Sequence, residues 1–156
     1  AGIDYAKRGG YVDFTTSTIP QFLDDGEVKC SIALRMMLEE VIPVGQITFS
    51  SDGQASLPFF NNHGEYAGLQ VGKVASLYNE VRDSVLEEGI PLETALKVIT
   101  TNPAHVLKLS TKGSIHIGND ADIVLLQKDT LAIATVMAKG QVMVEKGIPL
   151  IKGTFE

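Results

Sequence analysis

The stretch Gln46-Ile47-Thr48-Phe49-Ser50-Ser51-Asp52-Gly53-Gln54-Ala55-Ser56 carries a carboxylate one step beyond an apolar run and releases it on a glycine. A short strand running into Ser51 fixes the backbone while the loop after it faces a cleft, which is where α/β folds hold catalytic carboxylates. Asp52 is therefore the first candidate catalytic residue. Asp-Gly is equally a common turn pair, and the spacing by itself leaves an ordinary turn open. The run Thr15-Thr16-Ser17-Thr18 either lines a polar site or satisfies loop backbone groups, the second being the plainer reading. The three histidines are scattered. His63 lies in the polar turn Asn61-Asn62-His63-Gly64-Glu65 with no partner at metal-ligand spacing and reads as an exposed loop residue. His105 falls in a short helix, where a structural role is expected, and His116 in the tail. Cys30 is the lone cysteine, so no internal disulfide is possible, and its apolar neighbours predict a buried thiol in a reducing, cytoplasmic setting.

The elements that would position Asp52 follow from periodicity. A helix end over residues 3–8 stops at Gly9-Gly10, and a strand over 11–15 comes next. Residues 20–26 read as a loop. Val28, Ile32, Met36 and Val41 recur at helical spacing over residues 27–40, with Met36 and Met37 as core filler. Pro43 stops that helix and residues 45–51 form the next strand. Strand, helix and strand in this order demand a right-handed crossover and a parallel sheet. A second helix is predicted over residues 71–88, with Val74, Leu77, Tyr78, Val81, Val85 and Leu86 on one side and Gly89 as its end. Pro91 opens a third helix over 92–100, and Asn102-Pro103 breaks it and permits a short one over 104–109. From about Ser110 the chain changes to short strands and glycine turns, with strands predicted over residues 115–117, 121–126, 133–138, 142–145 and 149–152. Such short strands have many edges and little core, so this tail is expected to pair with strands from elsewhere.

Composition bounds the function. The chain has 156 residues, 44% of them hydrophobic, enough for one domain or a piece of a larger one. A net charge of -6 without a Lys/Arg cluster gives no footprint for nucleic acid or an anionic membrane. No apolar run approaches the ~20 residues that span a bilayer, and the first ten residues lack the pattern of a signal peptide. The chain starts at Ala1 with no initiating Met, which suggests a fragment or a processed product.

Thr100-Thr101-Asn102-Pro103-Ala104, with Lys112-Gly113-Ser114-Ile115 and Gly118-Asn119-Asp120-Ala121-Asp122-Ile123-Val124, resembles the C-terminal signature of the amidohydrolase superfamily. The run from Thr48 through Ser51-Asp52-Gly53 to Ser56-Leu57-Pro58-Phe59-Phe60, and the closing Ile151-Lys152-Gly153-Thr154-Phe155-Glu156, are similar to the isoaspartyl (β-aspartyl) dipeptidases within it. Arg8-Gly9-Gly10-Tyr11-Val12-Asp13-Phe14-Thr15-Thr16-Ser17 extends the likeness over nearly the whole chain. The resemblance implies the C-terminal part of a (β/α)8 barrel over residues 1–109, followed by strands of a composite β-sandwich over 110–156. It implies zinc, two ions per active site, with Asp52 as ligand to one of them and as proton acceptor, and Ser56 as a substrate contact. It also implies a dipeptide substrate and, for the full-length enzyme, a homo-oligomer.

In that family the His-x-His after the first strand, a carbamylated Lys, two further metal His and a substrate-binding Arg all precede this segment. No positions here match them, and none of His63, His105 or His116 takes a ligand role. One Asp cannot complete a zinc site. The expectation is a C-terminal part of a zinc dipeptidase acting on β-aspartyl dipeptides, inactive by itself. Two alternatives stand beside it: another amidohydrolase acting on a cyclic amide, dihydroorotase-like, against which the Ser51-Asp52-Gly53 to Ser56-Leu57-Pro58 stretch argues, and a non-catalytic assembly module.

Overall fold

The computed structural model describes residues 1–151, which form two compact units dividing after Pro103. The first unit is built on strand β1 (Val12–Thr15) and strand β2 (Ile47–Ser50), paired parallel with Val12 opposite Ile47 and Phe14 opposite Phe49. Helix α1 (Gly2–Lys7) precedes β1, and α2 (Pro20–Asp24) and α3 (Cys30–Glu39) lie between the two strands. The strand, helix, strand order read from periodicity is thus present with the parallel pairing it demands. Residues 20–24, expected as loop, instead open with proline in the first helical turn, a position at which proline is tolerated because its missing N–H has no partner to lose.

One face of this pair is apolar and the other polar. Val12, Phe14, Ile47 and Phe49 pack with α3 and with two later helices, α4 (Ser76–Leu86) and α5 (Leu92–Lys97). Leu34, Ile47, Val81 and Val98 are fully buried there, and Phe14 meets Phe49 edge to face at 6.2 Å. Helix α3 turns Cys30, Ala33, Leu34 and Met37 inward. The stripe expected on it is corrected: Val28, Met36 and Val41 are exposed, and only Met37 of the methionine pair is core. Cys30 is buried as expected, its thiol donating to the Thr15 carbonyl. Burial first, then the nearby Glu80, Asp13 and Glu27 carboxylates, push that thiol up to about 12.

A second departure lies after Asp52. Strands β3 (Ser56–Phe60) and β4 (Tyr66–Val71) form an antiparallel hairpin closed by the Asn61–Glu65 turn, so helix α4 begins at Ser76 and not at Val71. The Asn61 side chain accepts the His63 and Glu65 N–H groups at 2.9 and 3.0 Å, an Asx-type turn that fixes the reversal. Helix α6 (Thr101–Val106) includes Asn102-Pro103, which were expected to lie ahead of it. Proline there occupies the first turn, and the buried Asn102 amide donates at 2.7 Å to both the Val44 and Ile47 carbonyls, anchoring the start of β2.

The second unit is an antiparallel sheet in the order β5 (Ile123–Leu126), β6 (Ile133–Ala138), β7 (Gln141–Glu145), β8 (Ile148–Pro149). These strands pair with one another, and the expected pairing with strands from elsewhere is not among the pairings of the described residues. Gly140 and Gly147 take positive φ in the turns between them, as the glycine positions predict. Residues 115–117, expected as a strand, are irregular, with Ile115 and Ile117 85% and 97% exposed; among the described residues no partner strand covers them. The expected strand over 149–152 and the motif Ile151 to Glu156 reach into residues 152–156, outside the described residues.

Candidate active site

Because β1 and β2 run parallel, their C-terminal ends meet at one edge. The loop after β1 supplies Thr16, Ser17 and Thr18, and the loop after β2 supplies Ser51 and Asp52. Ser17 Oγ donates to the Ser51 carbonyl, tying the two loops together. Below them, on the face away from the helices, the Asp13 carboxylate accepts the Thr48 and Ser50 hydroxyls across the strand pair. In a closed barrel the helices lie outside, so this polar face is the inward one.

Asp52 is exposed and sits at φ 43°, a left-handed backbone that Asp tolerates better than most residues. A tight turn follows, with the Ala55 N–H on the Asp52 carbonyl at 2.9 Å. Gly72 then locks the loop: its N–H donates to the Ala55 carbonyl at 2.8 Å and its carbonyl accepts the Gln54 N–H at 2.9 Å. A Cβ on Gly72 would lie 2.8 Å from the Asp52 carbonyl oxygen, so only glycine lets the hairpin approach this closely. Ser56 opens β3 opposite Val71, four residues past Asp52 and exposed like it. The same loop therefore carries both residues, and the β4 return strand holds it.

The histidines stay apart from this loop's chemistry. His63 is exposed in the hairpin turn, His105 is exposed in α6, and His116 is exposed with its ring Nδ1 2.8 Å from the Ile117 carbonyl. Among the described residues no three His, Cys, Asp or Glu side chains converge to hold a metal. Asp52 offers one hard oxygen ligand and nothing here completes a coordination shell.

Beside the Asp52 loop lies a cleft of 290 Å³ lined by the Thr16 to Thr18 hydroxyls, Leu57, Gln70 and Val71 of the hairpin, and Lys73, Ala75, Ser76 and Asn79. Thr16, buried, shares a hydrogen bond of 2.7 Å with Ser76 at the start of α4. Sequence reasoning noticed the hydroxyl run but neither Lys73, assigned to a helix that begins only at Ser76, nor Asn79 within that helix. The hairpin was the missing signal. Its only trace in the sequence is the Asn61 to Gly64 turn.

Parallel strands with helices on one face, a polar opposite face and an acid just beyond the strand end define a segment of a (β/α)8 hydrolase-type barrel, followed by an antiparallel sheet. The chain belongs to the amidohydrolase family, whose model matches residues 24–143. It is similar to the beta-aspartyl dipeptidase of Fervidobacterium islandicum AW-1 in complex with beta-Asp-Leu dipeptide, at 37% identity and a TM-score of 0.77 over 98% of this chain. A second structure of beta-aspartyl dipeptidase from that organism gives 33% identity and a TM-score of 0.74, again over 98% of this chain. An allantoinase of Bacillus licheniformis is 43% identical over 63 residues, 37% of this chain and 14% of its own length. The chain spans only 38% and 36% of the two dipeptidase structures. No described helix is long and apolar enough to cross a membrane.

Proposed function

We propose that this chain is the C-terminal part of a metal-dependent hydrolase of β-aspartyl dipeptides, with residues 1–109 its share of the barrel. The observation that carries the reading is the 37% identity, over nearly the whole chain, to a dipeptidase described in complex with beta-Asp-Leu. Asp52 is the acid of the site. It takes a proton from the attacking water and returns it to the leaving amine, work worth about 10²–10⁴-fold in rate. Zinc is the proposed metal, and Asp52 gives it one oxygen while the remaining ligands come from outside the described residues. When bound, the metal supplies polarisation of the scissile carbonyl and a lowered water pKa. Ser56, on the same loop, contacts the substrate.

The allantoinase likeness favours a second reading, hydrolysis of a cyclic amide, by the same acid. Turnover of β-Asp-Leu, dihydroorotate and allantoin by the intact protein separates the two. The dipeptidase reading requires β-Asp-Leu to be the best substrate and Asp52→Asn to lower its kcat about 10²–10⁴-fold with the fold intact. Preference for either cyclic amide overturns it, and an Asp52→Asn variant of undiminished rate removes the acid from the mechanism.

A further inference from the structure

The cleft beside the Asp52 loop has walls made of the same segments that hold that loop. Ser17 is bonded to Ser51, Leu57 follows Ser56, and Val71 to Lys73 flank the Gly72 that clasps Gln54 and Ala55. At about 290 Å³ it lies at the lower end of the roughly 300–1,000 Å³ of small-ligand sites and has room for a side chain.

Its chemistry follows from which polar groups are already engaged. Thr16 and Ser76 satisfy each other, Ser17 donates to the Ser51 carbonyl, Thr18 donates to the Glu27 carboxylate, and the Gln70 amide donates to the Pro58 carbonyl at 3.2 Å. Lys73 and the Asn79 side chain remain, with no hydrogen bond or ion pair to any described residue. The chain carries 19 acidic residues, yet none of the cleft's ten lining residues is acidic. Leu57, Val71 and Ala75 give the cleft an apolar wall. An apolar wall leading to one ammonium and one carboxamide matches a short side chain with methylenes and a terminal carboxylate.

We propose that this cleft receives the side chain of the residue released from the dipeptide, and that Lys73 selects an acidic side chain there. The proposal rests on the dipeptidase reading and deepens it: Lys73 is a specificity-determining residue that lies outside the Asp52 and Ser56 machinery. Lys73 is exposed, so its replacement leaves the fold in place.

The test compares kcat/KM of the intact enzyme for β-Asp-Glu, β-Asp-Gln and β-Asp-Lys. The wild type is expected to favour β-Asp-Glu over β-Asp-Gln about tenfold, the strength of one charge-assisted hydrogen bond. Lys73→Met removes that ratio while leaving β-Asp-Gln turnover unchanged, Lys73→Arg keeps it, and Lys73→Glu shifts preference to β-Asp-Lys. The α-carboxylates of the aspartyl residue and of the released residue are the other possible anions. If Lys73→Met slows β-Asp-Glu, β-Asp-Gln and the C-terminal amide of β-Asp-Leu alike, Lys73 reads the aspartyl carboxylate and the side-chain assignment is overturned. If Lys73→Met slows β-Asp-Glu and β-Asp-Gln equally but spares the C-terminal amide of β-Asp-Leu, Lys73 reads the α-carboxylate of the released residue and the side-chain assignment is again overturned. Wild-type turnover that no Lys73 variant alters also overturns it while the dipeptidase reading stands. Absence of any β-aspartyl dipeptide turnover in the wild type overturns the dipeptidase reading and the subsite with it.

Discussion

Glu80 sits on α4 with its carboxylate buried against the start of α3, where it accepts the Ser31 N–H at 2.8 Å. It caps a helix whose own first residues supply no side-chain cap. Burial raises its pKa above the ordinary 4.5, opposed by the Ser31 N–H and by the nearby Lys29 ammonium. The folded chain therefore holds this proton to a higher pH than the unfolded chain does. The stability linked to it is fully present below about pH 4.5 and is lost as the pH rises through the raised value. Glu80→Gln keeps an acceptor for Ser31 and removes the titration. Urea midpoints of wild type and Glu80→Gln across pH 4 to 8 should diverge, wild type losing ground as pH rises, and a constant difference between them would refute the account. Residues of this kind were invisible in the sequence. Glu80 reads as one charge on the polar side of an amphipathic helix, and only the packing of α4 on α3 turns it inward. Asp52 was legible because strand chemistry and a glycine mark it locally, without help from distant contacts.

Helix α3 shows why an element can be legible while its orientation is not. Its sequence CSIALRMMLE is apolar on two sides, so Val28, Ile32 and Met36 make one plausible stripe and Cys30, Ala33, Leu34 and Met37 another. The choice is made by tertiary partners. Lys29 pairs with Asp83 at 2.6 Å and Glu87 at 2.9 Å, and Arg35 with Glu88 at 2.7 Å, all on or just beyond α4. Those pairs rotate the second stripe onto β1 and β2. The two adjacent methionines give a direct check. Met37 is 2% exposed, and Met37→Ala should cost about 2–5 kcal/mol by cavity formation. Met36 is 39% exposed, and Met36→Ala should stay within about 0.5 kcal/mol. Urea denaturation of the two variants decides it, since the sequence reading of both methionines as core filler predicts comparable losses. The β3–β4 hairpin was hidden for a related reason. Its strands read e-i-i-e-i and e-e-i-e-e-e in burial, so neither presents the alternation of a half-buried sheet. The contact between Phe60 and Tyr66, edge to face at 6.2 Å, joins them across the turn instead.

For the molecule as a whole, the decisive fact is how little of an active site one edge of a two-stranded sheet can hold. Among the described residues β1 and β2 pair only with each other, so β1 presents an unpaired edge, while the far edge of β2 is capped by the Asn102 amide on the Ile47 carbonyl and by the Val98 carbonyl on the Phe49 N–H. A (β/α)8 barrel needs eight strands to close, and its chemistry draws on the ends of several of them. The described residues bring Asp52 to that end but no cluster of three metal-binding side chains. A catalytic metal takes about three protein ligands, so the 156-residue chain on its own should bind zinc weakly and without a defined stoichiometry. It should also show no zinc-dependent hydrolysis of β-Asp-Leu, and its open edge should carry it to masses above 16.8 kDa in size-exclusion chromatography. Calorimetric zinc titration and an amino-acid release assay on the purified chain test this. Tight one-to-one binding with turnover would mean that the chain builds a metal site by self-association, with Asp52 side chains from several copies converging, and the account of ligands supplied from outside the described residues would be wrong.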